Sequence, residues 1–559
     1  MLLLDWIVIF LFALCLIGVI VWVVKQKQNN SADYFLSGKD ATWLAIGASI
    51  FASNIGSEHL IGLAGAGASS GMAMAHWEIQ GWMILILGWV FVPFYSRSMV
   101  YTMPEFLERR YNPQSRTILS FISLISYVLT KVAVTVYAGG LVFQQVFGIR
   151  ELWGIDFFWI AAIGLVLITA LYTVLGGMKS VLYTSVLQTP ILLLGSLIIL
   201  ALGLKELGGW DEMMRICGAV TVNDYGNTMT DLIRSNSDAA VPWIGALTGS
   251  AIIGFWYWCT DQYIVQRVLS GKNEREARRG AIFGAYLKLL PVFLFMIPGM
   301  IAFAIHQKNG AFLPLLADGT LNADAAFPTL VAKLLPAGVK GLVVCGILAA
   351  LMSSLASLFN SSAMLFTIDF YKRFKPETPE RKLVAIGQMA TVVIVVLGIL
   401  WIPVMRSVGN VLYTYLQDVQ SVLAPGIAAA FLLGVTWKRA TSKGGLWGLI
   451  AGLIIGLTRL GAKVYYGTTA ATGDSMFKYL FHDLNWLFFC GWMFLFCALV
   501  IIAVSLFTQA PREQQIRGLV FGTATPEQKA ATRESWSAWD VIHTAVIILI
   551  TVAFYVYFW

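Results

Sequence analysis

The sequence predicts an all-α polytopic membrane protein with about 14 transmembrane helices, and three observations support this prediction. Of the 559 residues, 58% are apolar and only 12% are charged, and the mean hydropathy is +0.75. The apolar residues form stretches of roughly 20, the length that a helix needs to cross a hydrocarbon core of ~30 Å. The basic residues concentrate in alternate connections between these stretches, as expected of a membrane protein.

The apolar stretches follow one another closely and leave no room for a soluble domain. The predicted spans are residues 5–24, 42–70, 72–96, 118–147, 156–177, 181–204, 243–265, 280–306, 338–369, 383–404, 408–436, 444–465, 484–507 and 538–558. A short additional helix is expected at residues 327–337.

The lysines and arginines predict the orientation of the chain. We count 25 of the 38 basic residues in one set of alternate connections and 9 in the other, with 4 in or near spans. Because cytoplasmic connections carry the excess of Lys and Arg, both termini are expected outside. This distribution also means that the net charge of +8 does not indicate a nucleic-acid partner. The predicted outer loops lack N-glycosylation sequons and paired cysteines, which favours a plasma membrane of the bacterial inner-membrane type.

Two predicted spans contain polar segments that weaken a helix. One is Ser53 to Ser57 in the second span, and the other is Gly254 to Gln262 in the seventh. Interrupted helices in corresponding positions are typical of transporters that are built from inverted repeats, with the binding site at the repeat interface. The predicted organisation is an accessory helix and cytoplasmic loop (1–40), a first repeat (41–210), an extracellular loop (211–242), a second repeat (243–437) and accessory helices (438–559).

Ionisable and polar side chains within spans are functional candidates, because a charge near the bilayer centre costs at least ~2.5–3.5 kcal/mol. Glu78 and Lys288 are natural partners, whether they bind a ligand or only lock two helices together. His59 lacks the neighbours that a metal site needs, which favours a hydrogen-bonding role. Gln417 suits recognition of hydroxyl groups, although a position at the rim is equally compatible. Together with nearby Trp and Tyr residues, these side chains favour a neutral ligand with several hydroxyl groups. An anionic ligand would call for an Arg, and this set contains none.

A serine-rich stretch runs from Ala349 to Ser357 and continues with Asn360, Ser361 and Ser362. Hydroxyls on one membrane helix, beside the carbonyl oxygens of a broken helix, suit a hard cation. Close packing of small residues between helices is the alternative interpretation.

Several strings of the sequence resemble one transporter family. ASNIGSEHLIGLAGAG, YTMPEF, WYWCTDQYIVQR, YLKLLP, LMSSLASLFNSS and FLLGVTWKR resemble the sodium/glucose cotransporter branch of the sodium:solute symporters, in register from about residue 30 to about 510. The resemblance implies a five-plus-five inverted-repeat (LeuT-like) fold, in which the first helix of each repeat is broken. It also implies alternating access, with sodium as the coupling ion.

The resemblance further implies roles for individual residues. The sugar site would contain Asn54, His59, Glu78, Trp258, Lys288 and Gln417. The gates would be Leu63, Trp77 and Tyr413 on the outside and Tyr257 on the inside. The sodium site would use backbone carbonyls of Ala52, Ile55 and Ala350 and hydroxyls of Ser353 and Ser354.

Two positions depart from the family pattern. Ser185 stands where the family usually has an Asp that is linked to sodium exit and, in some members, to a second sodium. Ala356 stands where members that couple two sodium ions tend to have Thr. Both departures favour one sodium per sugar.

The resulting expectation is a sodium-coupled symporter that imports a neutral hexose of the glucose or galactose type. The alternatives are a sodium/myo-inositol symporter of the same branch, and a sugar-gated ion conductor or sensor. No nucleophile constellation or cofactor motif indicates an enzyme. The expected partners are the sugar, sodium and the lipid bilayer, without an obligatory protein partner.

Overall fold

The structure is a computed structural model that describes residues 1–26, 30–56, 58–316, 319–407, 412–468 and 475–559. These residues are helical almost throughout, because a helix pairs its own backbone N–H and C=O groups where no water is available. Within the described residues, ten helices are long and apolar enough to cross a membrane. The single pair of strands found there, β1 (Glu151–Leu152) and β2 (Ile155–Asp156), is a short antiparallel hairpin.

The first half of the chain contains helices α1 to α11. They are α1 (Leu3–Val24), α2 (Ser31–Leu36), α3 (Trp43–Asn54), α4 (Ala64–Ser70), α5 (Gly81–Ile86), α6 (Val92–Ser98), α7 (Met103–Arg110), α8 (Pro113–Ser126), α9 (Ala133–Phe147), α10 (Phe157–Leu207) and α11 (Trp210–Gly218). Wider π-helical turns connect some of them, at Glu58–Leu63, Leu87–Phe91 and Tyr127–Val132. A 3-10 segment, Gly71–Trp77, follows α4.

The second half contains helices α12 to α25. They are α12 (Trp243–Gly254), α13 (Gln262–Leu269), α14 (Glu274–Lys288), α15 (Ile297–Asn309), α16 (Ala326–Leu334), α17 (Val339–Met364), α18 (Lys372–Phe374), α19 (Glu380–Ser407), α20 (Leu412–Thr436), α21 (Ser442–Thr468), α22 (Met476–Lys478), α23 (Trp486–Leu506), α24 (Pro526–Glu534) and α25 (Ala538–Tyr557). The π-helical segments of this half are Phe255–Thr260, Val292–Met296, Leu365–Tyr371 and Tyr479–Asp483. The short helix expected at 327–337 is confirmed as α16.

The expected count of about 14 transmembrane helices is not confirmed by the ten long apolar helices. Part of the difference lies in α10, whose 51 residues comprise two helices that meet at a kink and correspond to two of the predicted spans. Gly177, between them, has φ 53° and ψ −146°, a conformation outside the helical region that glycine adopts readily. Elsewhere the predicted second span is divided, because α3 ends long before residue 70.

The helix is interrupted in both places where the polar segments predicted a break. α3 ends at Asn54, and Ile55 is extended, with φ −79° and ψ 107°, before helical structure resumes at Glu58. In the second case the π-helical segment Phe255–Thr260 ends at Asp261, which is extended with φ −79° and ψ 126°. Each break leaves backbone carbonyls at a helix end without partners inside that helix, and other groups must satisfy them.

Glycines bring α3 and α14 into direct backbone contact. A Cβ on Gly47 would lie 2.9 Å from the carbonyl oxygen of Gly280, and one on Gly280 would lie 2.5 Å from the Ile46 side chain. Small residues allow such close approach between membrane helices, where packing rather than water exclusion drives association. Because α3 ends at Asn54 and α14 ends at Lys288, this contact sets the distance between the two side chains.

A buried arginine caps the end of α20. Arg110, at the end of α7, donates hydrogen bonds to the carbonyl oxygens of Gly434 (2.6 Å), Trp437 (3.0 Å) and Ala440 (3.0 Å). These carbonyls belong to the last turn of α20 and the residues after it, where a positive charge is favoured. Burial lowers the pKa of the Arg110 guanidinium, and its planar fork of donors matches three acceptors that a lysine would reach less completely.

We predict that Arg110→Lys lowers thermal stability, because at least one carbonyl at the end of α20 loses a charge-assisted hydrogen bond. Each such bond contributes about 1.5–3 kcal/mol. The measurement is the midpoint of thermal unfolding in detergent, followed by fluorescence-detected gel filtration. Arg215→Lys is the matched control, since the Arg215 side chain is 69% exposed and pairs with Glu212 on the same helix. Equal midpoints for the two variants would contradict the assigned capping role.

Candidate functional site

Four buried polar side chains form a charged network beside the end of α3. The Lys288 ammonium lies 2.6 Å from Glu78 Oε2 and donates to Asn54 Oδ1 at 3.1 Å. His59 Nε2 lies 3.2 Å from the same Glu78 oxygen. All four side chains are buried. An unpaired charge costs several kcal/mol in such surroundings. The ion pair between Lys288 and Glu78 therefore holds the end of α14 against the segment that carries Glu78.

The same network reaches the second interrupted helix. Asn54 Nδ2 donates to the Tyr257 hydroxyl at 3.2 Å, and the Lys288 ammonium lies 5.4 Å from the centre of the Trp258 ring. An ammonium over an indole face is attracted by the quadrupole of the ring. The breaks in α3 and after α12 therefore meet around one set of side chains, as the pattern of the two polar segments predicted.

A cavity opens at this meeting point. Its volume is about 60 Å³, which accommodates a few water molecules, since each needs ~10–15 Å³. All six side chains predicted for the substrate site line it, namely Asn54, His59, Glu78, Trp258, Lys288 and Gln417. The cavity therefore offers hydrogen-bond donors and acceptors, two charges of opposite sign and an aromatic face, the equipment that a small polar ligand requires.

The predicted gate residues have different surroundings. Trp77 and Tyr257 line the cavity, and the Trp77 ring stacks on Trp486 with centroids 5.4 Å apart. Leu63 is fully buried. Tyr413 lies outside the residues whose side chains are described, as does Ser57 of the first polar segment. The structure thus places two of the four gate candidates against the cavity, and their gating role stays a prediction.

The serine-rich helix α17 faces the broken end of α3. Ser354 Oγ lies 3.0 Å from the carbonyl oxygens of both Ser53 and Ile55. Ser353 Oγ points to a different neighbour, Ser185 Oγ at 3.2 Å on α10. Ala52 and Ala350 are buried on the two facing helices. The convergence of a hydroxyl with two carbonyl oxygens fits a hard cation, which takes oxygen ligands.

Sequence reasoning missed several residues of the site, and the first is Gln80. Its amide accepts a hydrogen bond from Trp258 Nε1 at 3.1 Å and donates one to the Ser250 carbonyl at 2.7 Å, which orients the indole. A Cβ on Gly254 would lie 2.5 Å from Gln80 Oε1. Because Gly254 has no side chain, the Gln80 amide can occupy this space. Gly254 is therefore the feature of the sequence that could have indicated this contact.

The second omission is an ion pair under the cavity between Lys131 and Asp261, whose Nζ and Oδ2 atoms lie 3.0 Å apart. The ammonium is also 4.6–5.3 Å from the ring centres of four aromatic residues, Tyr127, Trp256, Tyr257 and Tyr263. Asp261 is the extended residue at the second break, so this pair fixes the backbone there. A lysine within an apolar span was the available signal.

These features define the class of the molecule. Long apolar helices, two interrupted helices and a polar cavity between the interruptions describe an integral membrane protein of the transporter type. The chain belongs to the sodium:solute symporter family, whose family model matches residues 34–452. Members of this family are transporters rather than enzymes, and sodium is the coupling ion.

Two curated relatives illustrate the similarity. Human sodium/myo-inositol cotransporter 2 is 36% identical over 538 residues, which are 93% of this chain and 79% of the relative. Sodium/glucose cotransporter 2 of Rattus norvegicus is 37% identical over 544 residues, which are 92% of this chain and 80% of the relative.

Solved structures confirm the expected LeuT-like transporter fold at the level of overall architecture. A substrate-bound outward-open Na⁺-coupled sialic acid symporter superposes with a TM-score of 0.73 at 21% identity, covering 91% of this chain and 98% of that one. The nucleobase-cation-symport-1 family transporter Mhp1 in a closed conformation gives 0.50 at 14% identity, covering 88% and 98%. At these identities the likeness concerns the fold alone.

We predict that Lys288→Met destabilises the protein more than the double variant Glu78→Gln/Lys288→Met. The single change leaves the Glu78 carboxylate without its nearest cation, at a cost of about 3–5 kcal/mol, whereas removing both charges avoids that penalty. The measurement is the thermal unfolding midpoint in detergent.

The control for this comparison is Lys308→Met, which removes a lysine that is 43% exposed and lies 3.3 Å from Glu212. Exposed pairs contribute little, so this variant should unfold near the wild-type temperature. A double variant that is less stable than Lys288→Met would show that the pair is not the main constraint on these helices.

Proposed function

We propose that the protein is a sodium-coupled symporter that imports a neutral hexose by alternating access. The observation that carries this proposal is the proximity of two sites at one helix break. The end of α3 presents Asn54 to the polar cavity and the Ser53 and Ile55 carbonyls to Ser354. A rearrangement of this break would therefore change ion and substrate binding together.

The chemistry of the cavity supports a neutral ligand with several hydroxyl groups. Glu78 offers acceptors, Lys288 offers donors, and the amides of Asn54 and Gln417 offer both. An indole face such as that of Trp258 suits the C–H surface of a sugar ring. The two relatives are named for glucose and for myo-inositol, and both ligands are uncharged six-membered rings with hydroxyls. Sodium/myo-inositol symport is therefore the second candidate function, and a sugar-gated ion conductor or sensor is a third.

The ion would bind between α3 and α17, with carbonyls of Ala52, Ile55 and Ala350 and hydroxyls of Ser353 and Ser354. Since Ser185 lacks the carboxylate of the family's Asp and Ala356 lacks the hydroxyl of the family's Thr, we propose one sodium per sugar. One charge that moves through ~100 mV supplies ~2.3 kcal/mol. At ~1.4 kcal/mol per tenfold concentration ratio, this energy supports a sugar gradient of roughly 50-fold across the membrane.

The transport cycle that we propose uses the two interrupted helices as moving parts. Residues 41–210 and 243–437 would be inverted repeats, with residues 1–40, 211–242 and 438–559 outside the core. The extracellular gate would consist of Leu63, Trp77 and Tyr413, and the cytoplasmic gate would be Tyr257. Coupling means that the protein binds sugar more tightly when sodium is bound than when it is absent. Because such coupling is reciprocal, bound sugar must raise the affinity for sodium by the same factor.

The excess of basic residues in one set of connections supports a plasma-membrane protein with both termini outside. Cysteines introduced at Lys438 and at Lys205 test this orientation. In intact cells an impermeant thiol reagent should label only the second of the two, and the opposite pattern would reverse the assignment.

The substrate is tested by radiolabelled uptake into proteoliposomes, with glucose, galactose and myo-inositol in parallel and sodium or potassium outside. We predict accumulation of a hexose above equilibrium only with sodium. Preferential accumulation of myo-inositol would establish the second candidate. Sodium current without accumulation would establish a conductor.

Variants separate the two binding sites. We predict that Asn54→Ala reduces sugar uptake at least tenfold, because it removes bonds to both Lys288 and Tyr257, while sodium binding persists. Ser354→Ala should instead raise the sodium concentration that gives half-maximal uptake. Thr248→Ala, on the exposed face of α12, is the control for both. Normal accumulation by Asn54→Ala would refute the sugar site, and unaltered sodium dependence of Ser354→Ala would refute the ion site.

A further inference from the structure

The carboxylate of Glu58 lies in the cavity and has no part in the proposed function. Glu58 begins the helical structure that resumes after the break in α3, and it lines the same cavity as Ser354. Among the described residues, its side chain has no hydrogen-bond or ion-pair partner. A carboxylate in these surroundings needs a cation or donors to offset the loss of water.

The space beside Gly56 shows which group Glu58 faces. A Cβ on Gly56 would lie 2.6 Å from Glu58 Oε2 and 2.9 Å from Ser354 Oγ. The absence of a side chain on Gly56 therefore leaves a gap with an oxygen on either side. Ser354 Oγ is in turn 3.0 Å from the carbonyl oxygens of Ser53 and Ile55. A carboxylate and a hydroxyl thus face the gap, and the hydroxyl is itself next to two carbonyls.

The two lysines of the neighbourhood are already paired with other carboxylates, and the buried Arg267 guanidinium has no hydrogen-bond partner within the described part of the chain. Lys288 is held by Glu78 at 2.6 Å and Lys131 by Asp261 at 3.0 Å. The guanidinium of Arg267 lies over the Tyr263 ring, 5.2 Å from its centre. Because the Glu58 carboxylate has no ion-pair contact with any residue that the structure describes and faces the Ser354 hydroxyl across the gap, this position favours a small cation from outside the protein.

We propose that Glu58 is a ligand of the transported sodium ion and supplies the negative charge of its site. This inference rests on the proposed ion site at Ser354 and adds a residue to it. Hard cations take carboxylate, hydroxyl and carbonyl oxygens together, at ~2.3–2.6 Å for calcium. Gly56, which has no side chain, leaves the gap open for the ion. Ser353 lies against the uncharged Ser185, so neither residue adds a negative charge to the site.

The position of Glu58 also gives ion and substrate a direct connection. Its carboxylate acts electrostatically on both Lys131 and Lys288, the two ammonium groups that line the cavity. When sodium neutralises Glu58, the field at both ammonium groups changes before any helix moves. Sodium binding would therefore weaken the attraction of Glu58 on Lys288 and change the charge balance around Lys288 and Glu78, the residues proposed to hold the sugar.

The test is binding of radioactive sodium to the purified protein without sugar, measured by scintillation proximity. Glu58→Gln keeps the shape of the side chain and removes its charge, so the Kd for sodium should rise at least tenfold. Glu58→Asp keeps the charge on a shorter arm and should bind sodium more tightly than Glu58→Gln. Glu206→Gln removes an exposed carboxylate and should bind sodium as the wild type does.

The outcomes distinguish this inference from the proposed function. Wild-type sodium binding by Glu58→Gln, with weakened binding by Ser354→Ala, would refute the role of Glu58 and leave the ion site intact. Wild-type binding by both variants would refute the ion site itself. If Glu58→Gln does not fold, the comparison of Glu58→Asp with wild type decides, since shortening a ligand must alter the sodium Kd whereas shortening a residue remote from the ion leaves it unchanged.

Discussion

The buried ion pair between Glu78 and Lys288 is the interaction on which the rest of the site depends. Neither charge is tolerable alone in this setting, so the two must remain within contact or find substitutes. Their pairing fixes the end of α14 against the 3-10 segment that precedes Glu78, and Asn54 ties α3 to the same point. Under the proposed function, a ligand that enters must offer hydrogen bonds to both charges, which a purely apolar molecule cannot do.

Much of this arrangement could be predicted from the sequence, because the signals are strong in a membrane setting. A polar residue in an apolar span is costly, so each one indicates a partner or a cavity. Asn54, Glu78 and Lys288 stand out for that reason and do meet. The two helix breaks were predicted from glycine and polar residues close together, and the backbone leaves the helix at Ile55 and Asp261.

The rest could not be predicted because it depends on geometry between distant segments. The sequence predicts two spans that divide near Gly177, but it does not show that they follow each other directly across a kink within α10. Gln80 looks like an ordinary polar residue until Gly254 is seen to make room for it. The cage of rings around Lys131 draws on two separate stretches of chain, and periodicity within either one does not reveal it.

The close packing of α3 on α14 has a consequence for how the molecule can move. With Gly47 pressed against Gly280, the two helices cannot slide or separate without opening a gap between their backbones, so they travel as one rigid unit. Asn54 and Lys288 are carried by that unit, and their hydrogen bond is internal to it. The contact from Ile55 to Ser354 joins this unit to α17, a different helix. Two of the residues proposed to bind sugar, Asn54 and Lys288, are thus positioned in advance on one unit, whereas the proposed sodium ligands lie at the end of α3 and on α17 and come together only while these two helices are in contact.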